Sequence, residues 1–245
     1  MIIVILIIII IVVIIVLFLL TRDTCQENFS TSYNYEKIKP KLKTGDIILF
    51  SYKKHHNAYD ALSYYCRTSF LGSRFGHAAI VIRKGKKLYG IECTDINHVG
   101  ENDAEYFNNE KKGGVRIIDL DLLIKKYYED YHGTFGVRFI SQEIPNRKLI
   151  KHFSDYDNVI FQDKGYVTVL LIIDTFISHD IAKYLLKYSK ENRMVCTEFM
   201  HDILNKCGEL NDYPSKLLWP HSVGTNKFDK IQKNNYSEIF RFTYD

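Results

Sequence analysis

The sequence lacks the cysteine patterns that build disulfide or zinc scaffolds. Its five cysteines are an odd number, no two of them form a C-x-x-C pair, and no zinc-ligand spacing occurs. These absences argue against a domain held together by disulfides or a structural metal ion. We expect Cys66, Cys93 and Cys207 to be small core residues, and we expect no metal and no organic cofactor.

The sequence also lacks a strongly basic segment and any internal repeat. Its formal net charge is only +4, and its basic residues are interspersed with acidic ones. A nucleic-acid-binding protein would need basic residues gathered on one face, with aromatic side chains between them. We therefore expect no nucleic-acid partner.

Charge is absent altogether from residues 1–20, which read MIIVILIIIIIVVIIVLFLL. A helix of this length just spans the ~30 Å hydrocarbon core of a bilayer. A cleaved signal peptide is the alternative, but it would need a basic start, a shorter apolar run and small residues at the cleavage site. The sequence therefore predicts a transmembrane anchor over residues 1–20, a stalk over residues 21–41 and one domain over residues 42–245. The basic residues that follow the anchor lean toward a cytosolic domain.

Cys196 is predicted to lie in the first turn of an amphipathic helix. The apolar residues that follow it repeat at the spacing of one buried helical face, and they are Phe199, Met200, Ile203, Leu204 and Cys207. Gly208 fits the position just beyond the end of this helix. A thiol at a helix N-terminus lies near unpaired backbone N–H groups, a setting that favours the reactive thiolate.

His77 begins an apolar run of strand length at residues 77–82, and a second such run covers residues 88–93. If the two strands form a hairpin with a two-residue loop at Lys84-Gly85, His77 lies directly opposite Glu92 and on the same face. Glu92 could then orient the imidazole. A three-residue loop would instead place Cys93 opposite His77 and turn Glu92 to the other face. The sequence alone does not decide between these registers.

The remaining pattern predicts an α+β fold, a small antiparallel sheet packed on the helix that carries Cys196. Further strands are expected at residues 47–50, 115–118 and 135–140, with a helix at residues 121–128. Ser178 could cap another helix, and residues 167–173 fit either a strand or a buried helix. Residues 141–166 show no clear pattern. The histidines His55, His56, His98 and His201 are expected at the surface.

Five blocks in this order resemble the circularly permuted branch of the NlpC-type papain-like superfamily, in which the histidine precedes the cysteine. The blocks are GDIILF (45–50), GHAAIV (76–81), IECT (91–94), GVR (114–116) and VCTEF (195–199). The branch includes YiiX-like amidases, poxvirus relatives and, more distantly, lecithin:retinol acyltransferase. The resemblance implies that Cys196 is a nucleophile, His77 its base and Glu92 the third catalytic residue.

The expected function is that of a membrane-anchored cysteine hydrolase that cleaves an amide bond through a thioester intermediate. Acyl transfer to or from a lipid by the same fold is an alternative, so the expected substrate is a peptide, an amide or an acyl lipid. A catalytically silent binding module on a membrane is another. Frequent Ile, Lys, Asn and Tyr fit an AT-rich coding genome, and with the resemblance they make a viral source, and a virion or host membrane, a further expectation.

Overall fold

The computed structural model describes residues 33–51, 73–94, 114–162, 164–188, 192–233 and 235–245, together with residues 61, 64, 67 and 68. The predicted anchor at residues 1–20 lies outside them, as do Cys25, Cys66, His55, His56 and His98. Within the described ranges, no helix combines the length and the apolar character that crossing a membrane requires.

The described residues form an α+β fold. The strands are β1 (Tyr33–Asn34), β2 (Ile47–Ser51), β3 (Phe75–Lys84), β4 (Lys87–Thr94), β5 (Gly114–Asp119), β6 (Thr134–Arg138), β7 (Ile160–Phe161), β8 (Arg193–Met194) and β9 (Phe240–Thr243). The helices of at least four residues are α1 (Tyr35–Ile38), α2 (Leu120–Tyr131), α3 (Asn146–Phe153), α4 (Lys164–Phe176), α5 (His179–Leu185), α6 (Cys196–Lys206) and α7 (Pro220–Val223). The strands predicted near residues 47, 77, 88, 115 and 135 are confirmed.

Seven strands form one mixed sheet in the order β1-β9-β6-β2-β3-β4-β5. β1 runs parallel to β9, and all other neighbouring strands in this sheet are antiparallel. The short strands β7 and β8 pair in parallel in a separate sheet. The main sheet is therefore larger than the small antiparallel sheet expected. The sequence pattern missed β1 and β9 because strands of two and four residues are too short to show an alternating pattern.

Both faces of the main sheet are apolar, which explains the nearly unbroken hydrophobic runs in β2 and β3. Side chains alternate between the two faces of a strand, so Ile80 and Val81 point in opposite directions. Ile80 belongs to a core that includes Phe199 of α6, whereas Val81 belongs to a second core that includes Leu123 of α2. Burial of one such side chain stabilises the fold by about 1.5–3 kcal/mol.

The folded domain begins earlier than predicted. Residues 33–41, assigned above to a stalk, are part of it: β1 pairs with β9, and Tyr35 and Ile38 are buried. The hydroxyl of Tyr35 also donates a hydrogen bond of 2.7 Å to Asp121 at the start of α2. The predicted boundary at residue 42 is therefore wrong, because a two-residue strand and a single helical turn gave no periodic signal.

A helical hairpin occupies the stretch that the sequence left ambiguous. Residues 167–173 belong to α4, so they are helical. Ser178 caps α5 as predicted, because its hydroxyl accepts hydrogen bonds from the backbone N–H groups of Asp180 and Ile181. Leu170 and Ala182 pack the inner side of this α4–α5 hairpin against Leu217 and Trp219, which form a third, smaller core.

Candidate active site

Helix α6 begins at Cys196, and its predicted buried face is confirmed. All five apolar residues of that face are buried. Gly208 follows the end of the helix with φ +80°, a backbone conformation that favours glycine. The residue that precedes the helix is Val195, whose side chain has no oxygen with which to cap the first backbone N–H groups. Because the Val195 side chain does not cap them, these backbone N–H groups are available to another hydrogen-bond acceptor.

The first turn of α6 is held in place by its own polar side chains. The hydroxyl of Thr197 donates a hydrogen bond to the backbone oxygen of Leu218. The carboxylate of Glu198 accepts one from the N–H of Val195 at 3.4 Å. Burial raises the pKa of Glu198 to about 7, although the charge of Lys216 opposes the rise. These contacts fix the position of Cys196, which is only 5% exposed.

The imidazole of His77 is buried among aromatic side chains near the start of β3. His77 pairs with Phe50 across the β2–β3 ladder, next to a bulge that shifts the register. Its ring stacks on that of Tyr127 in α2, with centroids 5.9 Å apart and planes at 9°. This packing holds the ring in one orientation.

Glu92 contacts His77 as predicted. The distance between His77 Nε2 and Glu92 Oε2 is 2.6 Å, and the Glu92 carboxylate is fully buried. The carboxylate thus holds the Nε2 side of the imidazole ring. This arrangement leaves Nδ1 as the ring atom available to another partner.

The register that brings the two residues together differs from the predicted one. Lys84 pairs with Lys87, so the loop is Gly85-Lys86 and not Lys84-Gly85. The reason lies in the turn: Gly85 has φ +63°, and tight hairpin turns need a positive φ at their first loop position. The strands are shifted by two residues from the expected pairing. A shift of two preserves the face, so Glu92 is a diagonal neighbour of His77 on the same side of the sheet.

Arg116 completes this group, and the sequence analysis gave it no role. It lies directly opposite Glu92 in the β4–β5 ladder. Its Nε and Nη2 donate hydrogen bonds of 2.8 and 2.6 Å to Glu92 Oε1. Both residues lie in blocks that carry the family resemblance: Glu92 is in IECT (91–94), and Arg116 is in GVR (114–116). Without the register of β4 and β5, however, nothing placed the two residues opposite each other.

The charges in this group change the acidity of its members. Burial alone would lower the pKa of His77, but the charges of Cys196 and Glu92 and hydrogen bonds to both side chains raise it to about 10. Burial alone would raise the pKa of Glu92, but the charge of Arg116, together with that of His77, lowers it to about 2. At neutral pH, a protonated imidazole therefore lies beside an ionised carboxylate.

Cys196 and His77 meet although their elements pack on opposite faces of the sheet. The apolar face of α6 contacts the core that contains Ile80, whereas His77 shares its face with Phe50 and Tyr127. The first turn of α6 can reach the ring because His77 lies close to the end of its strand. Cys196 lies close enough to the imidazole for its charge to raise the pKa of His77.

Two further cysteines and one histidine are buried away from solvent. Cys93 and Cys207 are buried, as expected. Burial raises the pKa of Cys93 well above its usual value and that of Cys207 to about 11. His201 was expected at the surface but is buried, and its ring N–H donates a hydrogen bond of 3.0 Å to the backbone oxygen of Asn211. It lies on the buried side of α6, which a helical wheel would have shown.

Comparison with known proteins gives a relative but no function. No family model matches the chain. The chain is 41% identical over 215 residues to the uncharacterized protein R372 of Acanthamoeba polyphaga mimivirus, and the alignment covers 86% of each protein. The chain therefore belongs to the same protein family as this viral protein.

Proposed function

We propose that the protein is a cysteine hydrolase with a circularly permuted NlpC-type papain-like fold. The observation that carries this proposal is the group formed by His77, Glu92 and Arg116, with Cys196 close enough to raise the pKa of His77. A nucleophile at a helix start, a base in contact with it and a third group that orients the base form the usual arrangement of a catalytic triad.

In the proposed reaction, the proton of the Cys196 thiol has already passed to His77, and the resulting thiolate attacks the carbonyl carbon of an amide. The backbone N–H groups of the first turn of α6, which Val195 leaves uncapped, stabilise the negative charge on the carbonyl oxygen. The C–N bond then breaks, and the leaving amine takes the proton from the imidazolium. Water hydrolyses the resulting thioester, with His77 accepting a proton from the water and returning it to the sulfur.

Glu92 and Arg116 support this proton transfer without touching the substrate. Glu92 binds Nε2 of His77 and so presents Nδ1 to the sulfur. Arg116 neutralises the buried carboxylate on its other side. A buried carboxylate with no cation beside it would take up a proton and lose its effect on the imidazole. We therefore assign Arg116 as a positioning residue.

A second candidate is acyl transfer from a thioester intermediate to a lipid or from a lipid acyl chain. It is favoured by the uncharged, apolar residues 1–20, which would hold the site near lipid. In either reaction, the apolar residues 1–20 are proposed to anchor the enzyme in a membrane.

The test is labelling of the full-length protein with an iodoacetamide probe, followed by mass-spectrometric mapping of each thiol. We expect Cys196 to react fastest, and Cys196→Ser to abolish turnover with little change in thermal stability. Cys207→Ser is the matched control, since it removes a buried thiol from the other end of the same helix. Faster native labelling of Cys93 or Cys207 would contradict the proposal and leave a silent binding module as the better account.

A further inference from the structure

The outer side of the α4–α5 hairpin carries an exposed apolar stripe. Ile177, Ile181, Tyr184 and Tyr188 are 64%, 46%, 62% and 65% exposed. Ile181, Tyr184 and Tyr188 lie three and four residues apart on α5 and the 3-10 turn that follows it, and Ile177 precedes them in the turn between α4 and α5. We call these four residues the hairpin stripe.

The hairpin stripe is exposed although the hairpin that carries it packs against the rest of the domain. Leu170, Leu171 and Ala182 on the inner side of the hairpin are buried against Leu217 and Trp219. The hairpin is thus fixed to the domain, and its outer side faces away from it. A row of large apolar side chains in this position marks a contact surface for another apolar phase or molecule.

The residues around the hairpin stripe fit the interface of a lipid bilayer. Lys183 and Lys187 lie in the same segment, and the Lys187 ammonium lies 3.6 Å from the ring centroid of Tyr184 and 4.9 Å from that of Tyr188. Tyrosines with an apolar ring and a polar tip, beside lysines with long aliphatic stems, are typical of helices that lie in the headgroup region.

The rest of the chain points to the same occupant. The uncharged residues 1–20 are long enough to span a bilayer, and only residues 21–32 separate them from β1. Twelve residues reach at most about 40 Å, so the domain would stay close to the membrane while any of its faces could turn toward it. We infer that the hairpin stripe lies on the lipid surface and so fixes which face of the domain meets the membrane.

The inner side of the same hairpin lies near the start of α6, because Val167, Leu170 and Val195 line one small cavity. The inference does not depend on the proposed thiol chemistry, since a silent binding module would dock in the same way.

The test uses the full-length protein in vesicles of phosphatidylcholine and phosphatidylserine. A fluorescent amino acid is introduced by codon suppression at position 184 or, as a control, at position 125, whose lysine is about half exposed on α2. Spin-labelled lipid and aqueous iodide then serve as the two quenchers. We expect emission from position 184 to be lost with spin-labelled lipid and preserved in iodide, and emission from position 125 to show the reverse.

Each other outcome overturns the inference. If position 184 behaves like position 125, the hairpin stripe is in water. If it is shielded from iodide but not quenched by lipid, it contacts a second copy or another protein. If the chain does not float with the vesicles, neither the anchor nor the stripe holds it there. In an Ile177→Asp/Ile181→Asp variant, lipid quenching at position 184 should disappear while iodoacetamide labelling of Cys196 in detergent is unchanged.

Discussion

The interaction between Arg116 and Glu92 allows a quantitative test of the site. Both side chains are buried, and Arg116 donates two hydrogen bonds to a single carboxylate oxygen. Arg116→Met keeps an unbranched apolar side chain of comparable length but removes the charge and both donors. Glu92 would then keep its hydrogen bond to His77 but lose both hydrogen bonds from Arg116.

Loss of one partner from a buried ion pair costs about 3–5 kcal/mol of the free energy of unfolding, because the remaining charge is left uncompensated. For a domain of this size, each kcal/mol lowers the melting temperature by roughly 2–4 °C. Arg116→Met should therefore lower the melting temperature by roughly 6–20 °C. It should also slow turnover, because Glu92 loses the two hydrogen bonds from Arg116 that hold its carboxylate in place against His77.

The assay is thermal unfolding of the full-length protein, monitored by circular dichroism in the same detergent for all variants. Lys125→Met is the matched control, since Lys125 forms an exposed ion pair with Glu129 at 3.8 Å. A surface pair of this kind contributes less than about 1 kcal/mol. A Glu92→Gln/Arg116→Met double variant should regain much of the lost stability, because it leaves no buried carboxylate unpaired. If Arg116→Met is no more destabilising than Lys125→Met, the reasoning about the buried pair is wrong.

Three further outcomes are expected. Glu92→Gln should slow turnover less than His77→Ala, because the amide keeps a hydrogen-bond acceptor for the ring, and equal rates in a turnover assay would remove Glu92 from the triad. The pKa of Glu92 is lowered from 4.5 to about 2, so its stabilising contribution is present above pH 4.5 and is lost as the pH falls toward 2. The pKa of His77 is raised from 6.5 to about 10, so its contribution is present below pH 6.5 and is lost as the pH rises through 10. Urea unfolding across this range should show both losses, and His77→Ala should abolish the alkaline one. Gly114→Ala should destabilise the protein more than Gly85→Ala in the same urea assay: both glycines have positive φ, but only at Gly114 would a methyl group collide with the backbone oxygen of Val159. Equal losses would show that the backbone strain alone matters.

The parts of the fold that could be predicted are those in which several residues report the same environment. β3 is buried on both faces, so its sequence is a nearly continuous apolar run. The spacing of Phe199 and Ile203 reports a single buried side of α6. In both elements, burial alone determines the residue type, and burial is what a hydrophobic pattern records.

The parts that could not be predicted depend on how elements are placed against one another. The β3–β4 register was off by two residues because four consecutive positions, Arg83 to Lys86, offer no apolar residue to fix the turn. Arg116 had no predicted partner because its role depends on the β4–β5 ladder. The shift of two left Glu92 on the correct face, so the prediction of its contact with His77 survived an incorrect register.

The structure also separates two kinds of residue among the blocks that carry the family resemblance. Asp46 is fully buried and accepts hydrogen bonds from the backbone N–H groups of Lys43 at 2.8 Å and Ile140 at 2.7 Å. It thus ties the start of β2 to the segment after β6. Gly45 beside it has φ +101°, which a glycine adopts without strain. The GD pair therefore serves the sheet, whereas His77, Glu92 and Cys196 converge on one another. A motif that recurs for architectural reasons predicts the fold, and only the converging residues support a proposal about chemistry.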